Sequence, residues 1–308
     1  RLGVYFIQRA FKATIDHGFT VEQADAMLGR PLGIPKTAVF GLMDLVGIDL
    51  SVHVIESLIS HLPEDDPFHD IVGVGEEIIQ AMIEEGYTGR KGLGGFYRLN
   101  KEGSKRIKEA RDLTTGEYRP ARKSRLASAK SRNLRDLVSH PDKGGTYAWR
   151  VLAKTLSYVA SLVPEITDDI ASVDRAMESG YAWKNGPFEQ IDQLGVGWLV
   201  ERLEADRMLV PPLLAEANRA PVYREADTGV EVRTVSGSYT PVVRPEGMKR
   251  LSYYKHRRDP VSTNASATIW DIDDGVACLE FHSKMNSIDP QIIAMIREAS
   301  KVDKKGFK

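Results

Sequence analysis

The chain has 308 residues, of which 42% are hydrophobic and 8% aromatic, enough for packed cores in about two domains. Its formal net charge of -1 excludes a strongly acidic or strongly basic protein as a whole. No run of about 18 apolar residues occurs, so no membrane-spanning helix is predicted. The single cysteine, Cys278, excludes an intramolecular disulfide and favours a reducing compartment, here the cytoplasm.

The first part of the chain is predicted to be helical. Apolar residues recur at helical spacing, and Thr20 followed by Gln23 has the capping-box pattern of a helix start. Glycine and proline mark the predicted helix ends. The predicted helices cover 2–17, 21–28, 37–46, 50–62 and 76–85.

A short motif occurs twice, in 29–49 and in 180–198. In each copy an Asp follows a Phe by four residues and a Gly follows the Asp by three; these are Phe40, Asp44, Gly47 and Phe188, Asp192, Gly195. Upstream of each copy, Asp25 and Asp174 lie on short helical patterns. The repetition predicts a duplicated helical unit.

Short strands are predicted to follow each helical region. Residues 95–99, 107–113 and 117–119 indicate a small β appendage, with Gly116 in the turn. A long apolar helix is predicted over 146–163. The segment 215–265 is interpreted as an extended linker or wrapping arm, with short β-like pieces at 230–235 and 239–243. Two apolar strands, 267–271 and 276–281, then precede a helix over 288–299 that Ser287 is expected to cap.

Several residue patterns allow a functional and a purely structural interpretation. The histidines and carboxylates of 61–70 suggest a metal site only weakly, because two prolines break the regular spacing of ligands. The glycines of 89–95 lack the preceding strand and following helix of a phosphate loop and favour a tight turn. Asp44 and Asp192 are more typical of backbone acceptors than of general bases.

The segment 98–135 carries 13 Lys or Arg against 4 Asp or Glu. A solvated basic surface is the ordinary interpretation of such a charge run. A phosphate-bearing ligand, such as a coenzyme or nucleic acid, is the other interpretation of this stretch. The alternative to an enzyme is a helical assembly or binding module that uses 98–135 to contact an acidic partner or nucleic acid, of which nucleic acid is the less favoured.

Longer stretches resemble a known family. GRPLGIPKTAVFGLMDLVGIDL (29–50) and GRKGLGGFY (89–97) resemble the C-terminal helical domain of 3-hydroxyacyl-CoA dehydrogenases. WKNGPFEQIDQLG (183–195) resembles the duplicated helical domain of multifunctional fatty-acid β-oxidation proteins. VACLEFHSKMNSID (276–289) resembles the opening of a crotonase, or enoyl-CoA hydratase, domain.

The resemblance implies a mainly α fold of tandem dehydrogenase C-terminal domains with a small β appendage, followed by a linker and the first hairpin and helix of a crotonase domain. The expected boundaries are 1–121, 122–214, 215–265 and 266–308. The implied parent oxidises a 3-hydroxyacyl-CoA with NAD and hydrates an enoyl-CoA, with a thiolase subunit as a partner. NAD is expected to bind a Rossmann domain preceding Arg1, so that the chain alone is inactive.

The resemblance also suggests residues for two sites. Pro35, Lys36 and Phe40 are expected either to line the acyl end of the dehydrogenase pocket or only to pack helix on helix. Lys284, Met285 and Asn286 match the hydratase loop that contacts coenzyme A. No catalytic residue and no metal ligand is assigned, because the catalytic groups are expected upstream of Arg1 and downstream of Lys308.

Overall fold

The computed structural model describes residues 1–100, 106–226, 229–243, 248–249, 251–255, 257–283 and 286–301. The chain divides into two compact units, the first formed by 1–226 with 230–240 and the second by 227–229 with 241–308. Helices dominate the first unit, as the sequence predicts. Among the helices in the described ranges, none has both the length and the apolar character that crossing a bilayer requires.

The first helical region follows the predicted order with small shifts at the ends. Its helices are α1 (Leu2–Asp16), α2 (Val21–Leu28), α3 (Phe40–Val46), α4 (Ile48–His61) and α5 (Glu76–Glu84). The predicted capping box of α2 is present, with Gln23 N donating to Thr20 Oγ1 and Thr20 N to Gln23 Oε1. Helix α3 begins three residues later than predicted, because Ala38 has a left-handed φ of 50° that ends the preceding turn.

The first small sheet is antiparallel, in the order β1 (Tyr97–Asn100), β2 (Ile107–Arg111) and β3 (Tyr118–Pro120). Tyr97 pairs with Ala110, and Ala110 pairs with Arg119 on its other side. The turn between β2 and β3 contains Gly116 at φ 75°, a conformation that glycine adopts without strain. The predicted β appendage is therefore present.

The second helical region surrounds one long helix. Its members are α6 (Leu134–Ser139), α7 (Lys143–Ser161), α8 (Ile170–Tyr181), α9 (Pro187–Leu194), α10 (Val196–Ala205) and α11 (Pro212–Ala215). Most residues of α7 are buried. Helix α7 packs against α1, with Tyr5 stacked on Tyr158 at 3.7 Å between ring centroids and Phe19 stacked on Tyr147 at 4.3 Å. The two helical regions therefore share one aromatic core.

A second small sheet lies where the sequence suggested a linker. Its strands are β4 (Tyr223–Ala226), β5 (Gly229–Arg233) and β6 (Tyr239–Pro241), in that order. The buried Arg233 donates to the carbonyl oxygens of Leu213 and Glu216, which holds β5 to the end of α11. Residues 230–240 therefore fit the wrapping-arm interpretation of 215–265, since they belong to the first compact unit, and the domain boundaries stay a prediction.

The second unit contains a short helix, a hairpin and a longer helix. These are α12 (Leu251–Lys255), β7 (Ser262–Thr263), β8 (Ala267–Asp271), β9 (Ala277–Phe281) and α13 (Pro290–Ala299). Ala267 and Ile269 of β8 pack on Ile292 and Met295 of α13. Asp289, and not Ser287 as predicted, caps α13, because its carboxylate accepts hydrogen bonds from the N–H groups of Gln291 and Ile292.

Two glycines near the start of the second motif copy have opposite surroundings. A Cβ built on Gly186 lies 2.3 Å from Cβ and 2.4 Å from Cα of Asp174, which the backbone of α8 holds in place. A Cβ built on Gly180, in α8, meets nothing within 4 Å. Close packing therefore requires glycine at position 186 and not at position 180.

We predict that Gly186→Ala lowers the free energy of unfolding by about 1–3 kcal/mol, because α8 and α9 must separate. The matched change Gly180→Ala is expected to raise it by up to about 1 kcal/mol, because alanine is the better helix former. Urea unfolding of the two variants measures both changes. Equal midpoints would contradict the close packing.

Candidate functional site

The loop before α3 is held by one carboxylate. Asp25, on α2, accepts hydrogen bonds from the backbone N–H groups of Val39, Phe40 and Gly41 at 2.9–3.2 Å, and from the Tyr97 hydroxyl at 2.9 Å. These bonds occupy N–H groups at the start of α3 that have no partner within the helix. The carboxylate therefore fixes the loop on one side and β1 on the other.

Tyr97 connects this carboxylate to a second one. Its backbone N–H donates to Asp44 at 2.9 Å, and the N–H of Phe96 donates to the same carboxylate at 2.7 Å. Gly95 permits the approach, since a Cβ there would lie 2.0 Å from Asp44 Oδ1. Asp44 is thus a buried backbone acceptor, which agrees with the structural interpretation of its sequence pattern.

The second motif copy has the same arrangement. Asp174 accepts from the N–H groups of Phe188 and Glu189 and from the Tyr223 hydroxyl. Asp192 accepts from the N–H groups of Val222 and Tyr223, both at 2.7 Å. Tyr223 therefore joins two aspartates as Tyr97 does, which makes each copy a helical unit closed by its own small sheet.

Tyr223, which corresponds to Tyr97 in the second copy, was not identified from the sequence, although the sequence contains a signal for it. Phe96-Tyr97-Arg98 and Val222-Tyr223-Arg224 are both an apolar residue followed by Tyr and Arg at the start of a strand. The spacing from the motif Asp differs between the copies, 53 residues to Tyr97 and 31 to Tyr223. A search without gaps therefore cannot align them.

Burial changes the acidity of these carboxyl groups. It raises the pKa of Asp25 and of Asp174 to about 7, and that of Asp44 to about 6, and the hydrogen bonds to each carboxylate oppose the change. Burial likewise raises the pKa of Asp192. Each of these groups is committed to holding a loop and a strand, so none is free to serve as a general base.

An apolar groove of about 610 Å³ lies beside the loop that Asp25 holds. Residues of α1, α3 and α4 form most of its lining, and several apolar side chains on its rim are unusually exposed; they are Leu45 (53%), Val46 (49%) and Val54 (37%). Of the residues of α4, only Ile48 is buried. This half-covered apolar face is typical of a binding groove.

The structure separates the three residues that were expected to line a pocket. Pro35 lines the groove, whereas Lys36 is exposed on the loop outside the lining. Phe40 is fully buried and packs edge-to-face on Phe11 and Phe96 at 5.8 and 4.8 Å between ring centroids. Phe40 therefore fits the alternative interpretation, packing helix on helix, because the Asp25 hydrogen bonds turn the start of α3 inward.

The second motif copy supplies one wall of the same groove. Tyr181, Ala182 and Trp183 line it, and Trp183 lies edge-to-face on Phe6 at 5.2 Å between ring centroids. Ala182 has a left-handed φ of 53° that redirects the chain after α8. The N–H of Lys184 donates to the Gly33 carbonyl at 2.7 Å, so the two loops are tied together.

A smaller cavity of about 140 Å³ is lined by residues of α4 and α5. It shares four lining residues with the groove, namely Gln8, Met43, Ser51 and Ile55. Two of these residues are polar, in surroundings that are otherwise mainly apolar. The groove and the smaller cavity therefore meet at a polar junction.

A dinucleotide site does not fit the described residues. The strand pairs whose register is defined are antiparallel, whereas a dinucleotide fold uses a parallel strand, a glycine-rich loop and a helix. Gly89 and Gly94 form an antiparallel bridge, and a Cβ on Gly89 would lie 2.5 Å from the Asp44 carbonyl oxygen. The glycines of 89–95 thus form the predicted turn.

Several arginines of the basic stretch 98–135 form ion pairs with glutamates. Arg98 pairs with Glu109, Arg111 with Glu85 and Arg119 with Glu22, each at 2.7 Å; Arg122, Lys123, Arg125 and Arg132 are exposed. Three of its arginines therefore stabilise the first helical region. Among the described residues, no cluster of three or more His, Cys, Asp or Glu side chains is arranged to hold a metal ion.

Of the three residues expected to contact coenzyme A, only Asn286 lies among the described residues. Lys284 and Met285 lie outside the described residues. Asn286 has a left-handed φ of 51°, and its N–H donates to the Ser283 carbonyl at 3.0 Å in a tight turn before α13. The role of these three residues in binding stays a prediction.

Comparison with known proteins bears on the first unit. Residues 1–99 match the family model of the 3-hydroxyacyl-CoA dehydrogenase C-terminal domain. This match covers the Asp25 and Asp44 network and most of the groove lining. It supports the dehydrogenase family that the sequence motifs resemble.

Two relatives are similar along the whole chain. A probable 3-hydroxyacyl-CoA dehydrogenase of Bacillus subtilis is 30% identical over 319 residues, covering 100% of this chain and 39% of the relative. A putative fatty acid oxidation complex trifunctional enzyme of Rickettsia prowazekii is 28% identical over 308 residues, covering 99% of this chain and 39% of the relative. The chain therefore spans well under half the length of these relatives.

The structural comparison is weaker. A crystal structure of 3-hydroxybutyryl-CoA dehydrogenase from Escherichia coli has a TM-score of 0.45 and 17% identity, covering 70% of this chain and 58% of that one. At this TM-score the likeness does not define a shared fold.

We predict that the free energy of unfolding falls as the pH rises from about 4 to about 7, by an amount on the order of 2 kcal/mol. The folded pKa values of Asp25 and Asp174, about 7, lie above the ordinary value of 3.8, so the folded state retains protons that the unfolded state releases in this range. Urea unfolding at pH 5 and pH 7.5 measures the change.

The Asp25→Asn variant, which cannot ionise at this position, is the control. It is expected to be less stable at both pH values and to show a smaller difference between them than the unaltered chain. An undiminished difference in the variant would show that Asp25 is not the titrating group.

Proposed function

We propose that the first unit forms the acyl-binding wall of a 3-hydroxyacyl-CoA dehydrogenase that acts in fatty-acid β-oxidation. The observation that supports the proposal is the apolar groove, which adjoins the loop of the family-matching region and has the mainly apolar lining that suits a hydrocarbon chain. The two curated relatives support it, since their names describe this activity or fatty-acid oxidation.

Within this proposal, the chemistry of hydride transfer is carried by a nicotinamide-binding domain that the described residues do not contain. NAD supplies the hydride acceptor when bound there, and the groove holds the acyl chain of the substrate. Burial of that chain excludes water and limits the orientations of the reacting end. The groove therefore contributes to substrate binding and positioning, and no residue of the first unit is assigned to proton transfer.

We further propose that the first unit consists of two dehydrogenase C-terminal repeats, the second extending to about residue 240. The matching aspartate and tyrosine networks support this division. The hairpin and helix of the second unit are proposed to open an enoyl-CoA hydratase domain, on the resemblance of 276–289. Cytoplasmic location and association with a thiolase subunit accompany this proposal.

The groove proposal predicts tighter binding of longer acyl chains by this polypeptide. Each buried methylene contributes at most about 0.8 kcal/mol, so dodecanoyl-CoA is expected to bind much more tightly than butanoyl-CoA. Val54→Trp, which fills the groove from a half-exposed position, is expected to weaken dodecanoyl-CoA binding at least about tenfold. Isothermal titration calorimetry measures both effects.

The matched control is His53→Trp, an exposed neighbour of Val54 on α4 that lines neither cavity. It is expected to bind dodecanoyl-CoA like the unaltered chain. The proposal fails if chain length has no effect on affinity, or if the two variants behave alike.

A second experiment tests the location of the chemistry. The purified chain is mixed with NAD and 3-hydroxydodecanoyl-CoA, and absorbance at the NADH band is followed. No NADH is expected, because no dinucleotide-binding unit is present among the described residues. NADH formation proportional to the chain concentration would overturn this part of the proposal.

A further inference from the structure

The side chain of Gln8, at the groove, makes no hydrogen bond to another described residue. Gln8, on α1, is only 6% exposed, yet among the described residues its amide makes no hydrogen bond. Thr14, also buried on α1, bonds to the Ala10 carbonyl and to the Tyr147 hydroxyl. The amide of Gln8 is not among the fully buried side-chain groups that lack a partner, so it is accessible at the cavity surface and open to a ligand.

The position of Gln8 gives its amide access to a ligand. Gln8 lines both the groove and the smaller cavity, so it lies at their junction. Ser51 of α4 lines both cavities as well, and its hydroxyl donates to the Gly47 carbonyl at 3.1 Å. The Ser51 oxygen thus retains its capacity to accept a hydrogen bond, while the Gln8 amide can both donate and accept.

An unbranched alkyl chain at this junction would cover the Gln8 amide without giving it a hydrogen-bond partner, while Ser51 keeps its bond to the Gly47 carbonyl. A buried amide that loses contact with water and gains no hydrogen bond disfavours binding of such a chain. A hydroxyl group on the chain offers a partner to each residue, since its oxygen can accept from the Gln8 amide and its proton can be donated to the Ser51 oxygen. Sites that pair a substrate hydroxyl discriminate against analogues that lack it.

We propose that Gln8 is a specificity-determining residue that selects acyl chains bearing a hydroxyl group at the junction of the two cavities. The inference rests on the proposed function, because it takes the occupant of the groove to be an acyl chain. In this proposal the Gln8 amide makes the groove bind hydroxylated chains more tightly than unsubstituted ones, and Ser51 is the second hydrogen-bond partner.

Binding measurements with a set of ligands test the proposal. The full chain is titrated with dodecanoyl-CoA and with hydroxydodecanoyl-CoA isomers that carry the hydroxyl near the thioester, at mid-chain or near the terminus. The preferred isomer is expected to bind about tenfold more tightly than dodecanoyl-CoA. Its identity reports which carbon lies at the junction.

Substitutions test whether the preference for hydroxylated chains depends on Gln8. Gln8→Met, which keeps the length of the side chain and removes its hydrogen bonds, is expected to reduce the preference below about twofold and to bind dodecanoyl-CoA at least as well. Ser51→Ala is expected to reduce it partly, and it tests the junction independently if Gln8→Met does not fold. Lys12→Met, on α1 but outside both linings, is the control.

The outcomes separate the two proposals. Chain-length-dependent binding without a hydroxyl preference, or with one that survives in Gln8→Met and Ser51→Ala, overturns the role of Gln8 and leaves the groove proposal in place. Absence of any chain-length dependence overturns the groove proposal itself. A preference that is lost in Gln8→Met and kept in Lys12→Met supports the inference.

Discussion

The structure of the first unit depends on buried carboxylates that accept hydrogen bonds from the backbone. Asp25 and Asp44 fix the loop before α3 and the start of β1, and Tyr97 links the two. A carboxylate in this position satisfies several N–H groups that would otherwise be buried without partners, and removal of one would leave them so. The groove exists beside α3 because this network sets where the helix begins.

The sequence predicted much of the fold and only part of the site. Helix periodicity, the capping box at Thr20 and the first β hairpin depend on local patterns, and each is present. Two strands of the second sheet were indicated as β-like pieces, but their packing was not, because Tyr223 is held by a carboxylate 31 residues earlier, a pairing that local patterns do not reveal. The sequence could not decide between the two interpretations of Phe40 for the same reason, since Asp25, 15 residues away, decides its direction.

Residues at the groove were harder to predict than residues of the core. Pro35 was identified by its place in a constrained loop, but Gln8 lies in an amphipathic helix whose pattern suggests only burial. What distinguishes Gln8 is an unused hydrogen-bonding capacity, and that property is visible only when its neighbours are known. Likewise, the contribution of Trp183 to the wall requires knowledge of how the two copies pack.

The hydrogen bond from Lys184 to the Gly33 carbonyl has a consequence for how this protein can change over time. The two motif copies lie about 150 residues apart in the chain, yet they enclose one cavity. Neither loop can therefore acquire a new shape without altering the space that the other one bounds. The two motif copies are therefore constrained to vary together.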